Sequence, residues 1–323
     1  MLGYISLTGA DMPLDPLAKR FLTMMAAAAP RGRSPPSAEE RRQALAKLMQ
    51  FARADVTAAA GIDGALPGPA GELPYRLYSP AIDTADVLPG FVFFHGGGMV
   101  AGSLETHDPI CAALTQTTGC RLVSVGYRLA PEHKFPAAIE DAIAATRWVS
   151  ERATSLGIDP TRLVVGGDSA GATLGAVVCQ HAVRHAGPAI LLQCLICPVL
   201  DFDETSPSRD EFAENHLIDR TTLQADLADY LPEDADLSDP RISPLRAIEL
   251  AGLPPAIIHT AQFDPMRDEG NAYARKLMAA GIDVEHTCHD GMIHNFHAMG
   301  AILPQGRLVL NQIGEQVKRA LRD

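Results

Sequence analysis

Aromatic side chains are scarce in this chain: 5% of its 323 residues, with a single tryptophan. That scarcity offers no obvious apolar surface for lying on a lipid interface. Long hydrophobic runs are missing too. No stretch reaches the roughly 18 consecutive apolar residues of a membrane-crossing helix, so none is expected. Positive charge is in deficit, with 27 basic against 39 acidic residues and a formal net charge of −12. An acidic surface argues against nucleic acid as a partner and against electrostatic attachment to an anionic membrane. The first residues, MLGYISLTGADMPLDP, lack a basic segment followed by an apolar core. The expectation is a soluble, cytoplasmic protein. Cysteines do not pair by spacing: Cys111, Cys120, Cys179, Cys194, Cys197 and Cys288 are scattered. Only Cys194 and Cys197 form a C-x-x-C, with no second pair to complete a zinc site. Buried free thiols and no metal are expected.

What is present is a 47% hydrophobic composition, enough for a sizeable core. Apolar runs alternate with helical stretches of about 10–20 residues, the pattern of parallel βαβ units. Strands are expected over 71–80, 90–94, 121–125, 163–166, 190–197, 255–259 and 282–288. Pro74 places the first of them towards an edge. Helices are expected over 13–29, from Ser37 to about Phe51, over 106–118, 138–156, from the elbow to His185, over 267–280 and from Leu308 to Leu321. Ser37 and Glu40 form an S-x-x-E capping box. Residues 127–137 are proline-bearing and irregular. The organisation expected is residues 1–54 as helices contributing to a lid, 55–200 as the first part of the core, 201–240 as an insertion, and 241–323 as the rest of the core. The insertion is acidic and sheet-poor. It follows a strand, and so falls on the C-terminal face of the sheet, where α/β proteins bind ligands.

The densest chemistry lies in Arg162–Gly175, RLVVGGDSAGATLG. A buried apolar run, then Gly167-Asp168-Ser169-Ala170-Gly171, then small residues at helical spacing, gives strand, G-x-S-x-G, helix. That is the context of a nucleophile elbow, which stands the Ser169 oxygen clear of the backbone. The bare motif arises by chance in roughly one such chain in ten, so its context must carry it. Supporting context comes from His95-Gly96-Gly97-Gly98 after the strand ending at Phe94. Three glycines there leave backbone N–H groups open to a close ligand. Hydrolysis by serine needs a base, an acid that fixes the base, and donors for the oxyanion. In the order serine, acid, histidine, Ser169 can be followed by Asp264 and His294. Asp201, after the preceding apolar strand, is the rival acid, and His289 the rival base. Gly97, Gly98 and Ala170 are the candidate oxyanion donors. Gly96 shapes the turn, His95 braces the glycine loop, and Asp168 braces the elbow.

Five motifs occur in order: HGGG at 95–98, YRLAPEHKFPA at 127–137, GDSAG at 167–171, DPMRDEG at 264–270 and GMIHNF at 291–296. Together they resemble the bacterial hormone-sensitive-lipase-like (family IV) carboxylesterases of the α/β-hydrolase superfamily, in the GDSAG branch, across roughly residues 50–310. The resemblance implies an eight-stranded, mostly parallel sheet flanked by helices, with a helical cap formed by the N-terminus and the 201–240 insertion. It favours Asp264 over Asp201 and His294 over His289. It implies hydrolysis of short- to medium-chain carboxylic esters of small molecules through an acyl-enzyme, without a cofactor. It also points to a homodimer through the last helix and strand edge. The same machinery would serve an amidase or arylformamidase. A non-catalytic binding homologue would lack His294. The chain departs from the family pattern at Met99, Gly126, Ala172-Thr173 and Asn295, positions that bear on pocket shape rather than on the triad.

Overall fold

The computed structural model describes residues 4–6 (backbone only), 12–28, 36–53, 61–81, 87–203 and 206–322. Among the described residues, nine strands form one sheet: β1 (Tyr4–Ser6), β2 (Ile62–Gly68), β3 (Gly71–Tyr78), β4 (Leu88–Phe94), β5 (Arg121–Val125), β6 (Ile158–Asp168), β7 (Leu192–Ile196), β8 (Ala256–Phe263) and β9 (Val284–Ile293). Their order is β1-β9-β8-β7-β6-β4-β5-β3-β2, parallel except around β3. Strands β2 to β9 match in number the eight that the resemblance implies, although no strand was expected at β2. The three-residue β1 adds a ninth, parallel to β9.

The central strands alternate between the two faces. Phe91 and Phe93 of β4 point into one apolar cluster, and Val92 and Phe94 into the other. Val164 is separated from Leu163 and Val165 in the same way. Strands buried on both faces must be apolar at every position, which is why these segments read as unbroken runs. On one face lie α4 (Ala137–Glu151), α5 (Ala170–Arg184) and α8 (Arg267–Ala279). The other holds α1 (Pro16–Ala28), α3 (Leu104–Thr118) and α9 (Pro304–Ala320). All six cysteines are buried free thiols.

Helix α2 (Ala38–Ala52) starts at the expected capping box, with Ser37 N donating to Glu40 Oε2 at 2.9 Å. Residues 201–240 contribute α6 (Pro207–Glu211) and α7 (Arg220–Tyr230). The proline break expected between the first two helices falls largely on residues 29–35, outside the described residues.

Three expectations need correction. β3 is not an edge strand, because β2 pairs along its outer side. Pro74 is tolerated there because its carbonyl accepts from Gly126 N, so its N side also faces β5. Pairing with β5 begins only at Tyr75↔Val125, so the N–H that proline lacks falls one residue beyond the ladder. The helix expected over 138–156 ends at Glu151, and a short 3₁₀ turn follows at Ala153–Leu156. The loop expected from His289 to His294 is strand up to Ile293, which leaves His294 at the strand end.

Candidate active site

Ser169 joins β6 to α5 with φ 52° and ψ −119°. A non-glycine residue held there stores strain of order ~1–3 kcal/mol. The turn is tight because the small residues around it allow backbone to touch backbone. A Cβ on Gly171 would lie 2.5 Å from the Phe94 carbonyl carbon and 2.7 Å from His95 O. Glycine therefore lets the elbow lie against the end of β4 and the glycine loop.

Asp264 follows β8 and His294 follows β9, so the sheet delivers both to the C-terminal edge that carries Ser169. His294 Nε2 lies 3.0 Å from Ser169 Oγ, and its Nδ1 lies 2.8 Å from Asp264 Oδ2. Asp264 Oδ1 accepts from Met266 N at 2.9 Å, which fixes the carboxylate plane. All three side chains are buried. An imidazole so placed can take the serine proton on one nitrogen while the carboxylate holds the other. The two rivals lie elsewhere. Asp201 pairs with Arg246 at 2.9 Å, and His289 Nε2 faces His259 Nδ1 at 2.8 Å.

The glycine loop lies across from the serine. Gly97 and Gly98 have φ of 122° and 64°, and Gly97 O accepts from Val100 N and Ala101 N. The Gly97 and Gly98 amides find no acceptor among the described residues. The Ala170 amide opens α5 beside them.

Asp168 ties loop to elbow. Its Oδ1 accepts from Gly96 N at 3.0 Å, and its Oδ2 lies 3.3 Å from His107 Nε2. His297 Nε2 approaches to 3.5 Å without the alignment of a hydrogen bond. Burial works to raise the Asp168 carboxyl, but the neighbouring imidazoles of His107 and His297 outweigh it and hold the group below the usual carboxylate range. The His95 ring stacks on Tyr127 with centroids 4.4 Å apart, and Tyr127 Oη donates to His95 O at 2.7 Å. Burial, then the nearby His107, lowers His95 to about 4, so at neutral pH it is an uncharged brace.

A cavity of about 270 Å³ opens over Ser169. Gly97, Gly98, Ser169 and Ala170 line its floor, and residues of α2 and α7 line the opposite wall. Arg41 Nε lies 2.9 Å from Asp226 Oδ1 across that wall, and Arg41 Nη2 also pairs with Asp229. The sequence pointed to neither Arg41, Asp226 nor His107, and it marked Tyr127 only as the start of the 127–137 motif, with no role. Their partners lie tens to hundreds of residues away, and no local spacing announces them.

Among the described residues, one group of side chains could contribute metal donors: Cys197, Asp264 and His294, with donor atoms within 4.8 Å. Asp264 and His294 already spend theirs on each other and on Ser169. Burial pushes the Cys197 thiol well above its ordinary value, so it is not poised as a thiolate ligand. No described helix is long and apolar enough to cross a membrane.

The alpha/beta hydrolase fold family matches residues 91–298. Carboxylesterase NlhH of Mycobacterium tuberculosis is 41% identical over 254 residues, spanning 77% of this chain and 79% of that protein. Ethyl acetate hydrolase of Pseudomonas putida is 39% identical over 77% of this chain and 79% of its own length. Among solved structures, an ester hydrolase from the metagenome of Lake Arreo, complexed with a bipyridine phosphonate derivative, superimposes with a TM-score of 0.91. It is 39% identical and covers 96% of this chain and 100% of its own. A hyperthermophilic esterase from Pyrobaculum calidifontis gives a TM-score of 0.90 at 36% identity, over 95% of this chain and 99% of that one.

Proposed function

The chain belongs to the hormone-sensitive-lipase-like carboxylesterases of the α/β-hydrolase fold and is a carboxylic ester hydrolase; from that premise we propose that Ser169, His294 and Asp264 form its catalytic triad, acting on short- to medium-chain esters. The observation that carries this reading is the hydrogen-bonded line from Asp264 through His294 to Ser169 on the cavity floor. Asp264 holds the Nδ1–H tautomer, which leaves Nε2 free to accept the Ser169 proton. The serine oxygen attacks the ester carbonyl, and Gly97, Gly98 and Ala170 amides receive the oxyanion. Collapse expels the alcohol, which takes the proton from His294. Water, deprotonated by the same imidazole, then releases the acid.

The short-to-medium range is supported by the cavity volume of about 270 Å³, at the lower end of small-molecule pockets. Helices α2 and α7 act as the cap, held together over the serine by Arg41 and its two carboxylates. Asp168, Gly96 and His95 keep the oxyanion loop at its distance from the elbow.

The test is hydrolysis of p-nitrophenyl esters from acetyl to palmitoyl by the wild type and by Ser169→Ala, with an isosteric amide beside the best ester. The expected result is a peak at short or medium chains that disappears in the variant, with the amide slower. Wild-type turnover by Ser169→Ala would remove Ser169 from the mechanism.

A further inference from the structure

Helix α7 covers the cavity with an unusual face. Thr222, Asp226 and Tyr230, four residues apart, fall on one stripe of the helix, and all three line the cavity. A helix that merely closes a pocket turns apolar residues inward. Here Leu223 and Leu227 flank a polar stripe that ends in a buried tyrosine.

Among the described residues, the stripe is short of positive charge. Arg41 is shared between Asp226 and Asp229, so with both carboxylates ionised the trio carries a net −1. Both members of the Arg41–Asp226 pair are largely out of water, at 8% and 19% exposure. Burial raises the Asp226 carboxyl to about 7; Arg41 opposes this, and the Asp229 charge adds to it. The two other charged residues described on the cavity wall, Arg209 and Glu40, are engaged away from the stripe. Arg209 pairs with Glu269 at 2.8 Å, and the Glu40 carboxylate closes the α2 capping box. Asp226 also lies against Gly98, where an added Cβ would come 2.6 Å from its Cγ. The stripe therefore stands beside the reacting centre.

An independent observation points to a ligand. The Tyr230 hydroxyl is buried, at 1% residue exposure, and has no hydrogen-bond partner among the described residues. Its ring and that of Phe202, with centroids 6.2 Å apart, form adjoining cavity wall. An under-compensated carboxylate, an unpartnered hydroxyl and two aromatic rings make a surround for a cation.

Resting on the ester-hydrolase reading of the same cavity, we infer that Asp226 is a specificity-determining residue that selects esters bearing an ammonium group, which sits between Asp226 and the Phe202 and Tyr230 rings. Such a group supplies the positive charge the trio lacks and orients the ester over Ser169.

The experiment compares kcat/KM for charged and uncharged isosteres at low salt. One pair is trimethylammonioethyl acetate and tert-butylethyl acetate. The other is ethyl trimethylammoniobutanoate and its all-carbon isostere. In the wild type, the charged member of at least one pair should be favoured about tenfold or more, chiefly through KM. Asp226→Asn should bring that ratio to about one, and Asp226→Glu should retain most of it. Tetramethylammonium should compete with the uncharged ester in the unmodified protein, a readout independent of how any variant folds. Hydrolysis of the uncharged esters with no charge preference in either pair overturns this inference alone, as does a wild-type ratio in Asp226→Asn or a failure of tetramethylammonium to compete. If no ester, charged or uncharged, is hydrolysed, the ester-hydrolase reading fails and this inference with it.

Discussion

Replacing Asp264 by asparagine changes one atom in a buried site, and its consequence can be worked from the distances. Asp264 Oδ1 accepts from Met266 N at 2.9 Å, and Oδ2 faces His294 Nδ1 at 2.8 Å. The asparagine oxygen stays with the Met266 N–H, since an amide nitrogen there would set donor against donor. The new NH₂ then faces His294 Nδ1, which becomes an acceptor, and the proton moves to Nε2. Nε2, 3.0 Å from Ser169 Oγ, then donates to the serine and cannot deprotonate it. A tautomer error of this kind in a Ser-His-Asp triad costs ~10⁴ in kcat, equivalent to about 5.5 kcal/mol of transition-state stabilisation. The assay is kcat and KM on p-nitrophenyl butyrate for Asp264→Asn beside Asp201→Asn, with thermal unfolding of both. Asp264→Asn should lose kcat with KM little changed. Asp201→Asn, whose carboxylate serves Arg246, should keep kcat within about threefold. Asp264→Asn retaining more than a tenth of wild-type kcat, while Asp201→Asn loses it, would refute the assignment of the acid.

Two further outcomes follow from packing and burial. Gly171→Ala would drive a methyl group into the Phe94 and His95 carbonyl groups, all backbone. A resulting shift of about 1 Å in the elbow should cut kcat/KM by ~10², with a stability loss of about 1–3 kcal/mol; wild-type kinetics would show that the contact is not holding the site. Four buried histidines set the acid limit of stability: His259 is lowered to about 3, and His95, His286 and His289 to about 4, each chiefly by burial. Unfolding returns them to about 6.5, so below that pH the unfolded chain binds more protons and stability falls. It should be level above about pH 6.5 and drop towards pH 4, with each independent histidine contributing up to about 2 kcal/mol at pH 5. Calorimetry should register proton uptake on unfolding in that window, reduced in His259→Gln; an unfolding midpoint unchanged between pH 7 and pH 5 would contradict it.

The parts legible in the sequence were those specified locally. Strand β5 was read to its end residues because Leu122, Val123 and Val125, which pack into the clusters on the two faces of the sheet, make a short apolar run. The α2 start was legible because a capping box is a four-residue feature. The elbow was legible because strand, turn and helix are contiguous. Strand β2 was missed because IDGALPG carries two glycines and a proline and has only one buried residue. Nothing in its pattern separates it from a loop until β3 pairs with it. Asp168 was expected to brace the elbow, and it does bond to Gly96 N across 72 residues. Its other partner, His107, comes from α3 and had no local signature. The Arg41–Asp226 pair is the extreme case. Its members are separated by most of the chain, and only the sheet order brings α2 and α7 over the same strand ends.

That sheet order also explains why these three chain positions can meet. β6 and β8 are separated by β7, so their ends stand about two strand spacings, or ~10 Å, apart. Two hydrogen bonds of 3.0 and 2.8 Å with one imidazole between them span such a gap. The imidazole cannot come from either strand it connects. It comes from the end of β9, beyond β8, where the chain continues past Ile293 and turns back over the sheet edge, with Asn295 at φ 58°. Asp201, which follows β7 next to β6, is held in an ion pair with Arg246. The carboxylate two strands from the serine thus has room for a ring between them, and the nearer one serves an ion pair.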